Sequence, residues 1–250
     1  GGQMDGGLNQ FGRDRVLKMF GDWTDRIIAG EVAQAPPRPQ GIERNSVITQ
    51  WDWAGPKGYM HDVVSTDRRN PRINANGKLY GAMELSADYV PVLDPMTHTA
   101  SRIPLTVRDP ETRPTNATMP APSPYWGDEA IWTSKNNVHN PMLDHQGRLW
   151  LTSGIRPAAN PDYCKQGSSH PSARQFPIEN AGRHLAMWDP KTQQLTHNST
   201  CFGTHHLMFA EDANHTLWTS GGGQVVGWLN TKMFDETKDE MRSQGWTALV

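Results

Sequence analysis

The stretch Thr200–Thr231, TCFGTHHLMFAEDANHTLWTSGGGQVVGWLNT, decides the fold. It opens on two adjacent histidines and a short apolar run. An acidic turn containing Asn214 follows, then a second run at Thr216–Ser220, three glycines and a third run at Gln224–Leu229. Each run has the length of a strand and each break is a turn signal. The same order recurs upstream. Asn70–Tyr80, NPRINANGKLY, aligns with Asn140–Trp150, NPMLDHQGRLW, and His206–Trp218 is a third copy with a slightly longer turn. Each copy reads as strand, polar turn, strand. Later strands end in Leu93–Thr97 (LDPMT) and Trp188–Thr192 (WDPKT), and fourth strands are expected at Ala100–Leu105 and Gln194–Asn198. Four short strands in fixed order are the pattern of a propeller blade. The expected fold is therefore all-β: a partial β-propeller with three visible four-stranded blades of a larger ring, preceded by a short helical segment.

Working outward, residues 1–31 form the helical segment. Phe11, Val16, Leu17, Phe20, Trp23, Ile27 and Ile28 recur near helical spacing. Gly21 is expected to separate two short helices, with Asp22 capping the second and Gly30 stopping it. Residues 32–44 read as a proline-rich linker, centred on Ala35–Gly41, APPRPQG. Residues 45–250 hold the blades, with an early strand from Val47 to Trp53. Two insertions, 108–127 and 154–182, read as surface loops. The chain starts without Met and stops at Trp246–Val250, in what reads as a strand. The expectation is a piece of a longer protein, contacting missing blades and upstream domains.

Composition excludes several partners. With 24 Lys and Arg against 26 Asp and Glu, the formal charge is −2. No basic balance argues for nucleic acid. No apolar run approaches the roughly 18 residues of a membrane span. No C-x-x-C-H sequence is present, so a haem would belong only to an upstream segment absent here. The two cysteines, Cys164 and Cys201, have two readings. They are either unrelated small buried residues, or a disulfide that ties the second insertion to the next blade and points to an oxidising compartment.

The residues His139–Asp144 (HNPMLD), Gly147–Ser153 (GRLWLTS), His205–Phe209 (HHLMF) and Leu217–Gly222 (LWTSGG) resemble streptogramin lyase-type propellers, themselves similar in style to NHL-repeat and gluconolactonase-type propellers. The resemblance covers Val47 to Val250. The segments Phe20–Arg26, Thr66–Pro71 and Cys201–His206 resemble large secreted bacterial proteins. In those, a propeller accompanies a cytochrome-c-like segment and a carboxypeptidase-regulatory-like domain. The resemblance implies a periplasmic or extracellular setting. In streptogramin lyases a channel-mouth histidine acts with an acidic residue that binds Mg²⁺.

In a propeller the residue preceding each innermost strand faces the central channel. Those positions are Arg69, His139 and His205 or His206. By this carry-over the candidate catalytic residues are His139, His205 and His206. The same three with Glu84 are candidate ligands for Mg²⁺ or another divalent metal. Ser153 and Ser220 stand where the family's acidic residue would be. The expected function is a funnel that binds a small-molecule or carbohydrate-like ligand, a metal or a partner domain. The alternatives are a lyase or hydrolase using those histidines with a metal, and a scaffold in a multidomain redox protein. His61, Asp62 and Asp67 could supply ligands, but on a loop they read first as solvated or turn-forming residues. Asp94, Asp144 and Asp189 read as turn caps. Trp51, Trp53, Trp126, Trp132, Trp150 and Trp218 read as inter-blade packing, and Gly221–Gly223 as a strand bend. His170, His184 and His197 have no assigned partner.

Overall fold

The computed structural model describes residues 12–31, 40–41, 53–55, 58, 60–114, 134–221 and 223–249. The chain divides into two compact units, Gly1–Gln50 and Trp51–Val250. The first contains α1, Arg13–Ile28, as one continuous helix. Gly21 lies inside it, and the expected break does not occur. One interior glycine costs only about 1 kcal/mol, and the flanking Lys18–Asp22 pair (2.6 Å) spans it on the surface. Gly30 does end the helix, at φ 78°. The early strand expected at 47–53 falls almost wholly outside the described residues.

Among its described residues the second unit holds twelve strands: β1 (Asp62–Val64), β2 (Leu79–Ala82), β3 (Tyr89–Asp94), β4 (Thr99–Pro104), β5 (His139–Leu143), β6 (Leu149–Ser153), β7 (His184–Asp189), β8 (Gln194–Asn198), β9 (His206–Phe209), β10 (Thr216–Ser220), β11 (Val225–Asn230) and β12 (Gln244–Ala248). They form three four-stranded antiparallel sheets, each with strands in chain order: β1–β4, β5–β8 and β9–β12. Before the last strand, α3 (Thr231–Thr237) and α4 (Glu240–Ser243) are interposed, and α2 (Pro171–Gln175) lies in the second insertion.

Alternation within the middle sheet stacks the three sheets. In β6, Leu149 and Leu151 join Val64, Tyr80, Val90 and Val92 of the first sheet. Trp150, pointing the other way, joins Leu207, Phe209, Leu217 and Leu229 of the third. Every residue of β6 is buried, as a strand covered on both faces requires. The outer β4 is mostly exposed. Trp150 has the packing role expected of it, whereas Trp218 is 40 % exposed beside Trp228.

The turns follow the sequence. Asp144 accepts from the amides of Gln146 (2.9 Å) and Arg148 (3.0 Å), and Gly147 takes φ 78°. Asp144 also accepts from Arg148 Nε (2.7 Å) and Trp150 Nε1 (2.9 Å), and Arg148 reaches Asp235 on α3. This carboxylate is fully buried and fully engaged. Asp144→Asn is expected to lower unfolding free energy by about 2 kcal/mol, because buried Arg148 keeps Asp235 but loses one of its two carboxylate partners, and an amide replaces the charged acceptor of Arg148 Nε and Trp150 Nε1; urea denaturation checks this.

The first copy departs from its expected register. Leu79–Ala82 matches Leu149–Ser153 as a second strand, but Asn70–Ile73 is turn and not strand. The first strand lies earlier, at Asp62–Val64, paired with Tyr80–Ala82. Thr66, Asp67 and Asn74 tie the long connection between them to itself: Thr66 to the Ile73 carbonyl, Asp67 to Arg69, and Asn74 to the carbonyls of Ser65 and Lys78.

The second insertion is not a solvated surface loop. Cys164 and Ala173 pack with Cys201, Phe202, Val225 and Trp246 in a third core. The disulfide reading of the cysteines is correct: Cys164 and Cys201 are bonded. Gly227 lets the Phe202 ring lie on the β11 backbone, where a Cβ would collide with it. Gly221 lets its backbone approach that of Gly203, a close contact and not merely a bend. The three unassigned histidines have partners here. His170 accepts from the Ser172 amide at the start of α2 (3.2 Å) and stacks on Trp246. His197 meets the Thr106 carbonyl (2.7 Å), and His184 meets that of Thr200 (3.1 Å).

His184 is wholly buried, and burial with the fields of Arg156 and Arg108 pushes its pKa down to about 3. A histidine depressed in the native state takes up its proton on unfolding. Its stabilising contribution is present above the unfolded value of about 6.5. It is lost as pH falls toward 3, by up to about 1.4 kcal/mol per pH unit. Denaturation midpoints of His184→Gln between pH 7 and pH 4.5 are expected to fall less steeply than those of the natural protein.

Candidate metal centre

The first strands of the three sheets are neighbours, with β5 packed between β1 and β9. Their leading ends converge, and so do the side chains just before or at those ends. His139 opens β5, His205 and His206 open β9, and His61 precedes β1. Glu84 joins them from just past β2.

Two asparagines in left-handed backbone flank His139, Asn137 (φ 43°) and Asn140 (φ 45°). Asparagine tolerates this region better than most residues. Here it makes the β5–β6 register irregular between His139 and Met142. Asn140 donates its amide to Asp62 Oδ2 (3.0 Å), and its Oδ1 accepts from the Leu207 amide (2.6 Å). One residue thus fastens β5 to both neighbours. Asn137 Oδ1 accepts from the Leu85 amide (3.0 Å), holding the segment that carries Glu84. Asp88 locks residues 134–136 by accepting from Ser134 Oγ, the amides of Lys135 and Asn136, and the Asn136 side chain.

The histidine rings form one cluster. His139 stacks on His205 with centroids 4.4 Å apart and planes 7° apart. His206 lies 4.1 Å from His205 and 5.4 Å from His139, and His61 lies 4.5 Å from His139. Potential ligand atoms of His139, His205 and His206 fall within 4.8 Å of one another, as do those of His61, Glu84 and His139. His139 belongs to both sets. Its Nδ1 is 3.4 Å from Asp62 Oδ2 and 3.6 Å from Glu84 Oε1. Those approaches lack hydrogen-bond geometry, and both ring nitrogens are buried without a hydrogen-bond partner among the described residues.

Burial pushes the His139 pKa down to about 4, overcoming the opposing pull of Glu84 and Asp62. Burial, then His206 and Arg183, lowers that of His205. Burial alone would raise the pKa of Asp62. The His61 hydrogen bond, the Asn140 amide and His139 outweigh it, and the carboxylate titrates low. The lowered imidazoles of His139 and His205, beside the other histidines and Glu84, form a donor set for a divalent ion. His139 is 2 % exposed, while His61 and His206 are exposed, so the cluster is closed beneath and open above.

The structure brings His139 together with His205 and His206, and with His61 and Glu84. The sequence offered His61 and Asp62 as possible ligands but favoured a solvated loop for them, because the repeat alignment put the first inner strand too late. The same slip made Arg69 a channel position. Arg69 instead pairs with Asp67 (2.8 Å), reaches the Ala210 carbonyl and lies over Phe209. The unused signal was Asn136–Asn140, NNVHN, which brackets one histidine with turn-forming asparagines.

Fold and site together define an all-β domain with clustered His and Glu side chains able to coordinate a divalent ion. No family model and no curated protein matches the chain. Among the described residues, no helix is long and apolar enough to cross a membrane.

Proposed function

We propose that this domain is a β-propeller segment that binds one divalent transition-metal ion at the converging strand ends, and that the ion serves lyase- or hydrolase-type chemistry. The observation that carries the reading is His139. A buried imidazole with both nitrogens unsatisfied is costly, and here three more imidazoles and Glu84 surround it. A set this rich in imidazole favours Zn²⁺, Co²⁺ or Ni²⁺ over Mg²⁺, which prefers oxygen donors. His139, His205 and His206 would hold the ion, with buried His139 beneath it and His206 on the exposed side; His61 and Glu84 form with His139 the other set of donors.

A bound ion would supply Lewis-acid polarisation of a substrate oxygen. His61 lies beside Asp62, Nδ1 to Oδ2 3.2 Å, and brings a second donor set to His139 with Glu84. The propeller reading is supported by three consecutive meanders whose first strands adjoin. The resemblance to streptogramin lyase-type propellers is of the same kind. The disulfide supports a periplasmic or extracellular setting. Calorimetric titration with Zn²⁺, and Co²⁺ titration followed by visible absorption, test the centre. Saturation at one ion per chain with low-symmetry cobalt bands is expected. Absence of saturable binding would sink the reading.

A further inference from the structure

A cleft of about 940 Å³ with several cationic side chains in its lining lies beside the histidine cluster. The two share walls. Arg183 lines the cleft and donates from Nη1 to Glu84 Oε1 (3.2 Å) and to the Asn137 carbonyl (3.4 Å). Asn137 lines it as well, two residues before His139. Among the described residues, four cations face this space, Arg113, Lys135, Arg156 and Arg183, against one carboxylate, Glu111.

The cations are poorly neutralised by the protein. Arg156 is 7 % exposed and is held by Ser199 Oγ, Asn160 Oδ1 and the carbonyls of Pro157, Ala159 and Thr200. All five acceptors are neutral, so its hydrogen bonds are complete while its charge is not balanced by a contacting carboxylate. Lys135 Nζ meets only the neutral Pro110 carbonyl (3.1 Å) among the described residues. No described carboxylate pairs with Arg113; Arg183 alone has one, and that is Glu84 of the cluster. A buried guanidinium held by dipoles creates a positive potential that low-dielectric walls focus into the adjoining space. Neither the repeat pattern nor the histidine cluster requires this arrangement.

We infer that the cleft binds an oxyanion group of the substrate, a carboxylate, sulfate or phosphate, and presents the rest of that molecule to the neighbouring metal centre. Arg156 would supply fixed field, since its N–H groups are spent. Arg113, exposed, and Lys135, half-exposed, would supply direct contacts, and half-exposed Arg183 would join the anion site to Glu84. Glu111 opposes binding and selects for the most strongly held oxyanion.

Presentation to the metal rests on the reading of the cluster given above; anion binding itself does not. Sulfate, phosphate and malonate are titrated separately into the whole chain by calorimetry, with Zn²⁺ titrated in parallel. At least one anion is expected to saturate at one per chain. The double variant Arg113→Gln, Lys135→Gln is expected to weaken it by at least about tenfold, the size of one lost charge-assisted contact, with Zn²⁺ affinity unchanged. Glu111→Gln is expected to tighten it, a result that damage to the fold would not produce. No saturable binding by any of the three, or equal affinity in all variants, overturns the inference. Anion binding without Zn²⁺ binding would retain the cleft and refute the metal centre; the reverse would do the opposite. Which of the three anions binds distinguishes a carboxylate-bearing substrate from a sulfated or phosphorylated one.

Discussion

His139→Ala is expected to lower Zn²⁺ affinity by more than about 100-fold, the upper end of what losing a mere supporting partner costs at a metal site. The reason is its position. His139 belongs to both candidate ligand sets, is buried, and carries two ring nitrogens that no group among the described residues satisfies. Removing it takes away the ligand common to any arrangement of the ion. His205→Ala and Glu84→Gln are each expected to cost less, because the remaining side chains still offer donors. His145→Ala serves as a control. His145 stacks on His215 at 3.7 Å in a pair outside both ligand sets, so its loss is expected to leave Zn²⁺ affinity unchanged. Competition against a coloured chelator measures all four. Equal affinity in His139→Ala and the natural protein would mean that the cluster is not a metal centre.

Opening the Cys164–Cys201 bond is expected to cost about 4 kcal/mol of stability, the chain-entropy value for closing a loop of this length. The two cysteines are 37 residues apart. The loop they close is anchored beyond the bond as well. Asn160 donates to the Cys201 carbonyl (2.6 Å) and to that of Ile178 (2.8 Å). Trp246 Nε1 donates to the Phe176 carbonyl (2.7 Å). These contacts form in the native state with or without the bond, so the loss falls mainly on the freedom of the unfolded chain. Urea denaturation with and without reductant, and of the double variant Cys164→Ser, Cys201→Ser, gives the figure. A loss below about 1 kcal/mol would show that the unfolded chain stays compact around this segment without the bond.

Much of the fold was legible because period and punctuation are local properties. Leu149–Ser153, Gln194–Asn198 and Thr216–Ser220 are strands where apolar runs and turn residues place them. Asp94, Asp144 and Asp189 cap turns as Asp does in such turns: Asp94 accepts from the Met96 amide and Asp189 from that of Lys191. The errors arose where a local rule met a non-local one. Gly21 is a helix breaker by propensity, yet the helix continues through it. Asn70–Ile73 copies Asn140–Leu143 in letters but forms a turn, because the first inner strand is taken by Asp62–Val64.

Sequence alone therefore determined the three meanders, the two adjacent histidines at one strand end, the third histidine at another, and the pair of cysteines available to bond. Tertiary structure decided which strand ends meet. Packing β5 between β1 and β9 brought His61 and Asp62 to His139 from residues nearly eighty positions away, and withdrew Arg69 into a turn. It also set four cations around a cleft whose wall is shared with Glu84. Those juxtapositions depend on which sheets stack and on how one irregular register turns His139 inward. No single stretch of sequence encodes a distance between side chains on separate sheets; the shared cores between the sheets do.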